Sequence, residues 1–346
     1  MRRVSTITVA GIATATLAFS LTACGSSSEE GGKDKGIGLA YDVGGRGDHS
    51  FNDSAAKGFD KAKKEFKVAG KDLTAKETDT DADRYQKLKD LAAAGYNPVI
   101  AVGFKYNAAV TKISKEDAFK DTDFAIIDSV VDAPNVTSLV FTENESSYLA
   151  GVAAALKSKT DKVGFIGGDS SAPLLKKFAG GFAQGVKDTK PKATVDVQWV
   201  APNASGFGQP DRGKDIADGM LSNNIDVIYS AAGGSGAGAI EATGKKKGTW
   251  SIGVDSDQYL DPSLSAYKHS ILTSAVKNVD VAVYDFIKSV LKDKKPLEGA
   301  QRFSLKTDGV GLSYSGGFLD DIKPKLEDAK KKIIDGKIKV VDTYKG

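Results

Sequence analysis

Residues 36–66, GIGLAYDVGGRGDHSFNDSAAKGFDKAKKEF, pass from a strand pattern through a glycine-rich turn into a helix pattern. The first six of these residues are mostly apolar, and the run is short enough to be a buried strand. After the turn, apolar side chains recur every three or four residues, at Ala55, Phe59, Ala62 and Phe66. This order predicts a strand–turn–helix unit, the building block of α/β folds.

The alternation of short apolar runs and amphipathic stretches continues along the chain. The predicted strands are residues 36–41, 73–78, 98–102, 124–128, 138–141, 162–167, 195–200, 226–230, 250–254 and 271–276. Residues 98–102, PVIAV, are apolar throughout, as a strand covered on both faces should be. Helical spacing of Leu175, Phe178, Phe182 and Val186 predicts another helix over residues 174–187.

The strand–helix pattern starts twice, which predicts two doubly wound α/β lobes with a cleft between them. We expect one lobe to contain residues 36–141 plus about 256–300, and the other residues 142–255 plus about 301–346. A mature chain of this length exceeds the usual size of a single core. Ligands of such sheets bind beyond the carboxyl ends of the strands, so residues that follow strands are the first candidates for a site.

The N-terminus has the features of a secretion signal. Arg2 and Arg3 precede a mostly apolar run that ends in residues 21–25, LTACG, and this order predicts a signal peptide over residues 1–23. The last five residues resemble a bacterial lipobox, in which Cys24 accepts the lipid; the alternative is an ordinary signal peptide with an incidental cysteine. Residues 24–35 are rich in Gly and Ser and predict a flexible lipidated tether.

Composition restricts the remaining chemistry. Cys24 is the only cysteine, so no intramolecular disulfide can form, and His49 and His269 are the only histidines, which leaves few candidates for a metal site. Removal of residues 1–23 takes away two arginines and no acid, so the formal charge falls from +3 to +1. A nearly neutral protein lacks the basic face that nucleic-acid binding needs.

The turn between the first strand and the first helix is the most informative segment. Ser50 and Asp53 have the spacing of a capping box, which would hold Phe51 and Asn52 in the first helical turn at the cleft edge. There Phe51 offers a flat apolar face, and Asn52 offers both a donor and an acceptor. The alternative is that Phe51 packs against its own helix.

This segment resembles the signature of the basic membrane protein family, whose best-understood members are purine nucleoside receptors of ABC importers. Further motifs in the same order are similar to that family: residues 101–104 AVGF, 135–143 NVTSLVFTE, 148–151 YLAG, 163–168 VGFIGG, 231–236 AAGGSG, 253–258 GVDSDQ and 273–277 TSAVK. The resemblance extends over residues 36–320. It implies a type I periplasmic-binding-protein fold with a hinge between two Rossmann-like lobes.

The resemblance also implies roles for individual residues. Phe51 and Phe207 match the two rings that clamp the purine, and Asn52 and Asp128 match the residues that bind the base edge. Asp255 and Lys277 match the pair that binds the sugar, and Asp42, within the signature segment, is included among the ligand-binding residues. For Phe207 a loop anchor, for Asp128 a solvated strand end, and for Asp255 with Lys277 a surface ion pair remain the alternatives.

Gly233 and Gly234 follow a predicted strand, but their spacing does not fit the G-x-G-x-x-G pattern of dinucleotide-binding folds. We expect them to allow close approach of the backbone to the ligand, with no cofactor and no metal. No Walker motif is present in the sequence, so the ATPase of an importer would be another subunit.

The leading hypothesis is therefore a monomeric, lipid-anchored solute-binding protein that passes a nucleoside to an ABC permease and ATPase, on the surface of a Gram-positive cell. One alternative is a nucleoside-processing enzyme that uses Asp42, Asp128 and Asp255 for acid–base chemistry. Another is a sensor or adhesion lipoprotein with the same fold.

Overall fold

The computed structural model describes residues 35–345, and the predicted signal peptide, Cys24 and nearly all of the tether lie outside them. Twelve strands of this part form two six-stranded sheets. They are β1 (Ile37–Tyr41), β2 (Gly70–Thr74), β3 (Val99–Ala101), β4 (Phe124–Ile127), β5 (Val136–Phe141), β6 (Lys162–Asp169), β7 (Thr194–Ala201), β8 (Val227–Ala231), β9 (Trp250–Asp255), β10 (Ile271–Lys277), β11 (Gly299–Phe303) and β12 (Val310–Leu312).

The two sheets have similar strand orders. The first sheet runs β11-β5-β4-β3-β1-β2 and the second runs β12-β10-β9-β8-β6-β7. All pairs are parallel except β10 with β12. Parallel strands need crossover connections, and helices supply them. The prediction of two doubly wound α/β lobes is confirmed.

The α-helices of the described chain are α1 (Phe51–Phe66), α2 (Asp81–Ala93), α3 (Asn107–Ile113), α4 (Glu143–Lys157), α5 (Pro173–Thr189), α6 (Pro210–Ser222), α7 (Ser235–Lys245), α8 (Val279–Leu291) and α9 (Lys323–Ile334). Helix α1 buries Ala55, Phe59, Ala62 and Phe66, the four residues whose spacing predicted it. The central strands β1, β3 and β4 are fully buried, which explains their continuous apolar runs.

Three strands differ from the sequence prediction. Strand β2 lies at Gly70–Thr74 rather than 73–78, because its pairing with β1 places Gly70 opposite Ile37. Strands β11 and β12 were not predicted. Both lie at sheet edges, and much of β11, GAQRF, is exposed and polar, so neither has the apolar run or clean alternation that identifies a buried strand.

The predicted lobe boundary within residues 256–300 is wrong. Strand β10 pairs with β9 and therefore belongs to the second sheet, not to the first lobe. The chain returns to the first lobe only after Lys277, where α8 begins and packs on α1. The chain also crosses between the lobes at Thr142, after β5, and again between β11 and β12. The point at which the chain crosses between the lobes depends on the sheet in which the next strand forms its hydrogen bonds. The local sequence does not contain this information.

Helices α4 and α5 of the second lobe are in unusually close contact. A Cβ atom added to Gly185 would lie 2.1 Å from the Tyr148 carbonyl oxygen, and one added to Gly151 would lie 2.2 Å from the Phe182 carbonyl oxygen. Each helix thus has a glycine at the point where a backbone carbonyl oxygen of the other helix comes closest. Any side chain at these positions would force the helices apart.

We expect Gly185→Ala to lower the free energy of unfolding by about 1–3 kcal/mol, because the methyl group overpacks the α4–α5 interface. Gly219→Ala in α6 is the matched control, since a Cβ there meets no atom within 4 Å. The control should stabilise the protein by roughly 0.5–1 kcal/mol, the usual gain of Ala over Gly in a helix. Urea unfolding measures both changes, and equal effects of the two substitutions would contradict the close contact.

Candidate functional site

A cavity lies between the carboxyl ends of the two sheets, with an empty volume of about 550 Å³ when its open side is included. Both lobes contribute side chains. Its lining residues are Asp42, Val43, Asp48, Phe51, Asn52, Gly103, Phe104 and Asp128 from the first lobe, and Leu174, Leu175, Phe178, Phe207, Ala231, Gly233, Val254, Asp255 and Lys277 from the second. A cavity of this size, apolar with a few polar groups, is typical of a small-molecule site.

The first-lobe wall depends on Asp48, a residue that the sequence did not single out. Its carboxylate accepts hydrogen bonds from the backbone amides of Ser50 (3.0 Å), Asn52 (2.8 Å) and Asp53 (3.1 Å). Asp48 therefore satisfies the free amides at the start of α1. The predicted Ser50–Asp53 capping box is wrong, because the Ser50 side chain makes no capping hydrogen bond.

Ser50 instead contacts the second lobe. Its hydroxyl donates to Asp255 Oδ2 at 2.6 Å, and its carbonyl oxygen accepts from the Ser256 hydroxyl at 3.0 Å. Next to it, the His49 carbonyl oxygen accepts from Gln258 Nε2 at 2.9 Å. The turn before α1 thus joins the two lobes beside the cavity.

Asn52 lines the cavity but is held by the protein itself. Its side-chain oxygen accepts from the Asp42 amide at 3.0 Å, and its side-chain nitrogen donates to Val43 O (3.1 Å) and Asp48 Oδ2 (3.0 Å). Both amide hydrogens have partners. In this arrangement Asn52 fixes the end of β1, and only a second lone pair of its oxygen is left for a ligand.

Two first-lobe carboxylates are buried at the cavity. Burial raises the pKa of Asp42 to about 6, against the opposing effects of the Val43 amide, Arg84 and Lys105. Burial likewise raises the pKa of Asp48 to about 6, although backbone amides stabilise its charge. Gly103 makes room for Asp42, since a Cβ at this position, which has a φ of +104°, would lie 2.5 Å from Asp42 Oδ2.

Aromatic rings from both lobes line the apolar part of the cavity. Phe51 and Phe104 belong to the first lobe, and Phe178 and Phe207 belong to the second. Phe207 lies against Gly168, where an added Cβ would be 2.6 Å from the ring. The absence of a side chain at Gly168 therefore leaves room for the ring. Phe51 and Phe207 both line the cavity, and both also pack against the core.

Lys277 is the central cation of the cavity and is only 2% exposed. Its Nζ lies 2.6 Å from Asp128 Oδ2 and 3.6 Å from Glu143 Oε1, and 4.7 Å from the centre of the Phe51 ring. Burial by itself lowers the pKa of Lys277, but the carboxylates of Asp128, Glu143 and Asp255 outweigh it, so the pKa is raised and the ammonium stays charged. The sequence paired Lys277 with Asp255, whereas the structure places its shortest ion pair with Asp128 of the other lobe.

Asp128 and Asp255 occupy equivalent positions in the two lobes, each at the carboxyl end of a strand. Asp128 directly follows β4 and Asp255 ends β9, and both have left-handed backbone conformations, with φ of +65° and +62°. Non-glycine residues rarely adopt this conformation, and such strain is concentrated at functional sites. Burial raises the pKa of Asp255, against the effects of Lys277 and the Ser50 hydroxyl.

Most of the predicted site residues therefore meet in one cavity. Asp42, Phe51, Asn52, Asp128, Phe207, Gly233, Asp255 and Lys277 line it. Gly234 does not, because the positive φ of Gly233 (+54°) turns the chain away into α7, and Gly234 lies beside the Phe207 backbone.

The sequence missed Asp48, Phe178 and Glu143. Phe178 was assigned to the core by its helical spacing, but it lies in the second turn of the helix that follows β6, where one face meets the cavity. Asp48 and Glu143 each lie within a quoted motif, at the start of a helix, and that position was the available signal.

No group of three or more His, Cys, Asp or Glu side chains in residues 35–345 is arranged to hold a metal ion. Within the same range, no helix has the length and apolar character to cross a membrane.

We expect Asp48→Asn to lower the free energy of unfolding by about 1–3 kcal/mol, because an amide cannot accept from all the donors that the buried carboxylate satisfies. The control is Asp81→Asn, an exposed aspartate in the first turn of α2, which should change stability by less than about 0.5 kcal/mol. Thermal unfolding at neutral pH measures both variants. A smaller loss for Asp48→Asn than for Asp81→Asn would contradict the capping role.

Comparison with known proteins agrees with this architecture. A solute-binding protein of an ABC transporter from Aeropyrum pernix K1 superposes with a TM-score of 0.74 at 28% identity, covering 90% of this chain and 94% of that one. The CD4+ T-cell-stimulating antigen of Listeria innocua is 36% identical over 328 residues, which cover 89% of this chain and 90% of the relative.

The ABC transporter nucleoside-binding protein BmpA of Lactococcus lactis is 35% identical over 327 residues, covering 88% of this chain and 90% of the relative. The family model described as ABC transporter substrate-binding protein PnrA-like, Bmp, matches residues 37–344, nearly all of the described chain. This chain belongs to the Bmp family of PnrA-like substrate-binding proteins of ABC transporters.

Proposed function

We propose that this protein captures a purine nucleoside in the cavity between its lobes and delivers it to an ABC importer. The observation that carries the proposal is the composition of the cavity wall. Phe51 and Phe207 come from opposite lobes, and Asp128 and Asp255 lie at the ends of strands of opposite sheets. A ligand with a flat ring and several hydroxyl or N–H donors matches both kinds of surface.

The rings suit the base. Aromatic faces bind any purine by stacking, which is worth roughly 1–3 kcal/mol per base. Asp128 Oδ1 is buried and has no hydrogen-bond partner among the described residues, so it can accept from a base N–H. A buried acceptor without a donor is unfavourable, and a ligand donor would remove that cost.

The second lobe suits the sugar. The Asp255 carboxylate can accept from two neighbouring hydroxyl groups, and Lys277 can donate to a sugar oxygen. Gly233 lies in the wall where the absence of a Cβ lets the ligand approach the backbone. The nucleoside-binding name of the Lactococcus relative supports the same class of ligand.

The arrangement favours binding over catalysis. Asp42, Asp128 and Asp255 each already have a partner in the protein, at the Val43 amide, Lys277 and Ser50 respectively. For delivery, we propose that a lipid on Cys24 holds the protein at the outer face of the membrane, near the permease and ATPase, where the monomer samples solutes.

Calorimetric titration of the purified full chain with adenosine, guanosine and inosine should show micromolar or tighter binding of at least one of them. Phe51→Ala should weaken that binding by roughly 5- to 150-fold, the equivalent of one lost stacking face. Phe318→Ala is the control, because Phe318 is a half-buried ring that packs on Trp250 and does not line the cavity.

The same experiment separates a receptor from an enzyme. Chromatography of the nucleoside after long incubation should recover it intact, whereas free base or sugar would show a nucleoside-processing enzyme. No heat and no thermal shift with any of the three nucleosides would overturn the proposed ligand class.

Cys24→Ala should release the protein into the medium, because the thiol that carries the lipid is gone. More than one acyl chain gives durable anchoring, at ~0.8 kcal/mol per buried methylene. Immunoblots of cell and medium fractions measure the distribution, and Ser26→Ala, in the same segment, is the control that should remain with the cells. Retention of the Cys24→Ala protein by the cells would show that another anchor exists.

A further inference from the structure

Glu143 is a buried carboxylate next to the cavity that the proposed ligand does not reach. It is 1% exposed, it is the first residue of α4, and it does not line the cavity wall. Its Oε1 lies 3.6 Å from Lys277 Nζ, and its Oε2 has no hydrogen-bond partner among the described residues. Lys277 already has a closer partner in Asp128, at 2.6 Å.

The groups around Glu143 belong to different lobes. Glu143, Lys277 and Asp255 lie on α4, β10 and β9, which are all part of the second lobe. Asp128 follows β4 and belongs to the first lobe. Within the second lobe the positive charge of Lys177 of α5 also acts on Glu143, and Tyr229 of β8 is a neighbour whose pKa is raised by burial and, to a smaller extent, by Glu143. The first lobe therefore brings one more carboxylate to a second-lobe cluster of one buried ammonium, Lys277, and two carboxylates, with the partly exposed Lys177 nearby.

The position of these residues along the chain adds to the argument. Glu143 comes directly after the first crossing between the lobes, and Lys277 is the last residue before the second crossing. Both residues therefore stay with the second lobe, and a separation of the lobes would move Asp128, but not Glu143, relative to Lys277. In the structure Asp128 Oδ2 lies 2.6 Å from Lys277 Nζ, and a separation of the lobes would leave Lys277 with the second-lobe carboxylates alone.

We propose that Glu143 takes up a proton when the lobes close on the ligand, so that ligand capture by this protein is linked to proton binding. The inference rests on the proposed function, since it needs a ligand that closes the lobes. Closing adds the negative charge of Asp128 to a space from which water is excluded, and one buried ammonium cannot balance three carboxylates. Asp255 has the Ser50 hydroxyl and Asp128 has Lys277, which leaves Glu143 as the carboxylate with the weakest stabilisation of its charge.

The electrostatics of the structure agree with this assignment. Burial raises the pKa of Glu143 to about 7, Lys277 opposes the rise, and Asp128 adds to it. A raised pKa means that closing binds protons, so closure is favoured below this pKa and is weakened as the pH rises through it. The expected result is a nucleoside affinity about tenfold higher at pH ~6 than at pH ~8.

Calorimetry of the full chain with adenosine, guanosine and inosine, in buffers of different ionisation enthalpy, counts the protons exchanged on binding. Near pH ~6 the wild-type protein should take up close to one proton per nucleoside, and near pH ~8 almost none. Glu143→Gln should lose most of this uptake and should bind with nearly the same affinity at both pH values. Glu145→Gln, the same change two residues along α4, is the control, because its amide oxygen can still accept from the Leu305 amide.

Binding whose heat is independent of the buffer would overturn the proposal and leave the proposed function intact. Unchanged uptake in Glu143→Gln would also overturn it, and would assign the proton to Asp42 or Asp48. Absence of binding at both pH values would contradict the proposed function itself and remove the basis of the inference.

A measurement on the wild-type protein covers the case in which Glu143→Gln does not fold. Carbon-13 NMR of labelled glutamate carboxyl groups separates glutamate from aspartate side chains. One glutamate signal should titrate near neutral pH in the nucleoside-saturated protein and at lower pH without ligand. Glutamate signals that all titrate at their ordinary pH in both states would overturn the proposal.

Discussion

The structure depends most on a single buried charge, the ammonium group of Lys277. A lysine inside a protein is strongly unfavourable unless carboxylates surround it, and here Asp128 and Glu143 lie within 4 Å of it. Asp128 comes from the first lobe and Glu143 from the second, so the ion pair with Asp128 can form only when the two sheets face each other across the cavity. Removal of one partner from such a cluster leaves an uncompensated charge, which costs far more than a surface ion pair. The closed arrangement of the lobes and the polarity of the cavity therefore have the same physical origin.

The two lobes provide this arrangement by repeating one device. In each lobe an apolar parallel strand ends at an aspartate with a left-handed backbone, Asp128 in one and Asp255 in the other. The carboxyl ends of parallel strands meet at one edge of a sheet, which is where such folds bind ligands. The turn from Asp48 to Asn52 adds the aromatic face of Phe51, which is held by hydrogen bonds of the neighbouring backbone amides and by packing of the ring against the core. The first-lobe wall of the cavity is thus held in place by the protein itself, which reduces the entropy that binding must overcome.

A receptor for an importer must bind its ligand and also release it. Several contacts between the lobes beside the cavity are polar hydrogen bonds, such as those of the Ser50 hydroxyl with Asp255 and of Gln258 with the His49 carbonyl oxygen. Polar contacts of this kind exchange readily for water, in contrast to the glycine-lined packing of α4 on α5 within the second lobe. Motion is therefore expected between the lobes and not within them. A proton held by Glu143 would add the pH of the surroundings to the factors that set the balance between the open and closed protein.

The sequence by itself determined the two doubly wound lobes, because apolar strands and amphipathic helices have different periods. The resemblance of its motifs to the family also placed Phe51, Asp128, Asp255 and Lys277 at the site, in agreement with the rule that residues at the ends of parallel strands and the starts of the following helices meet at one edge. Only the tertiary structure decided the lobe of β10, the cap of α1 by Asp48, the partner of Lys277 and the burial of Glu143. Each of these depends on which group fills a position in space, such as a neighbouring strand, a free amide or a charge from the opposite lobe. Local sequence carries the preferences of a residue, whereas the folded backbone selects its partner, which can be a few residues away, as for Asp48, or in the opposite lobe, as for Lys277.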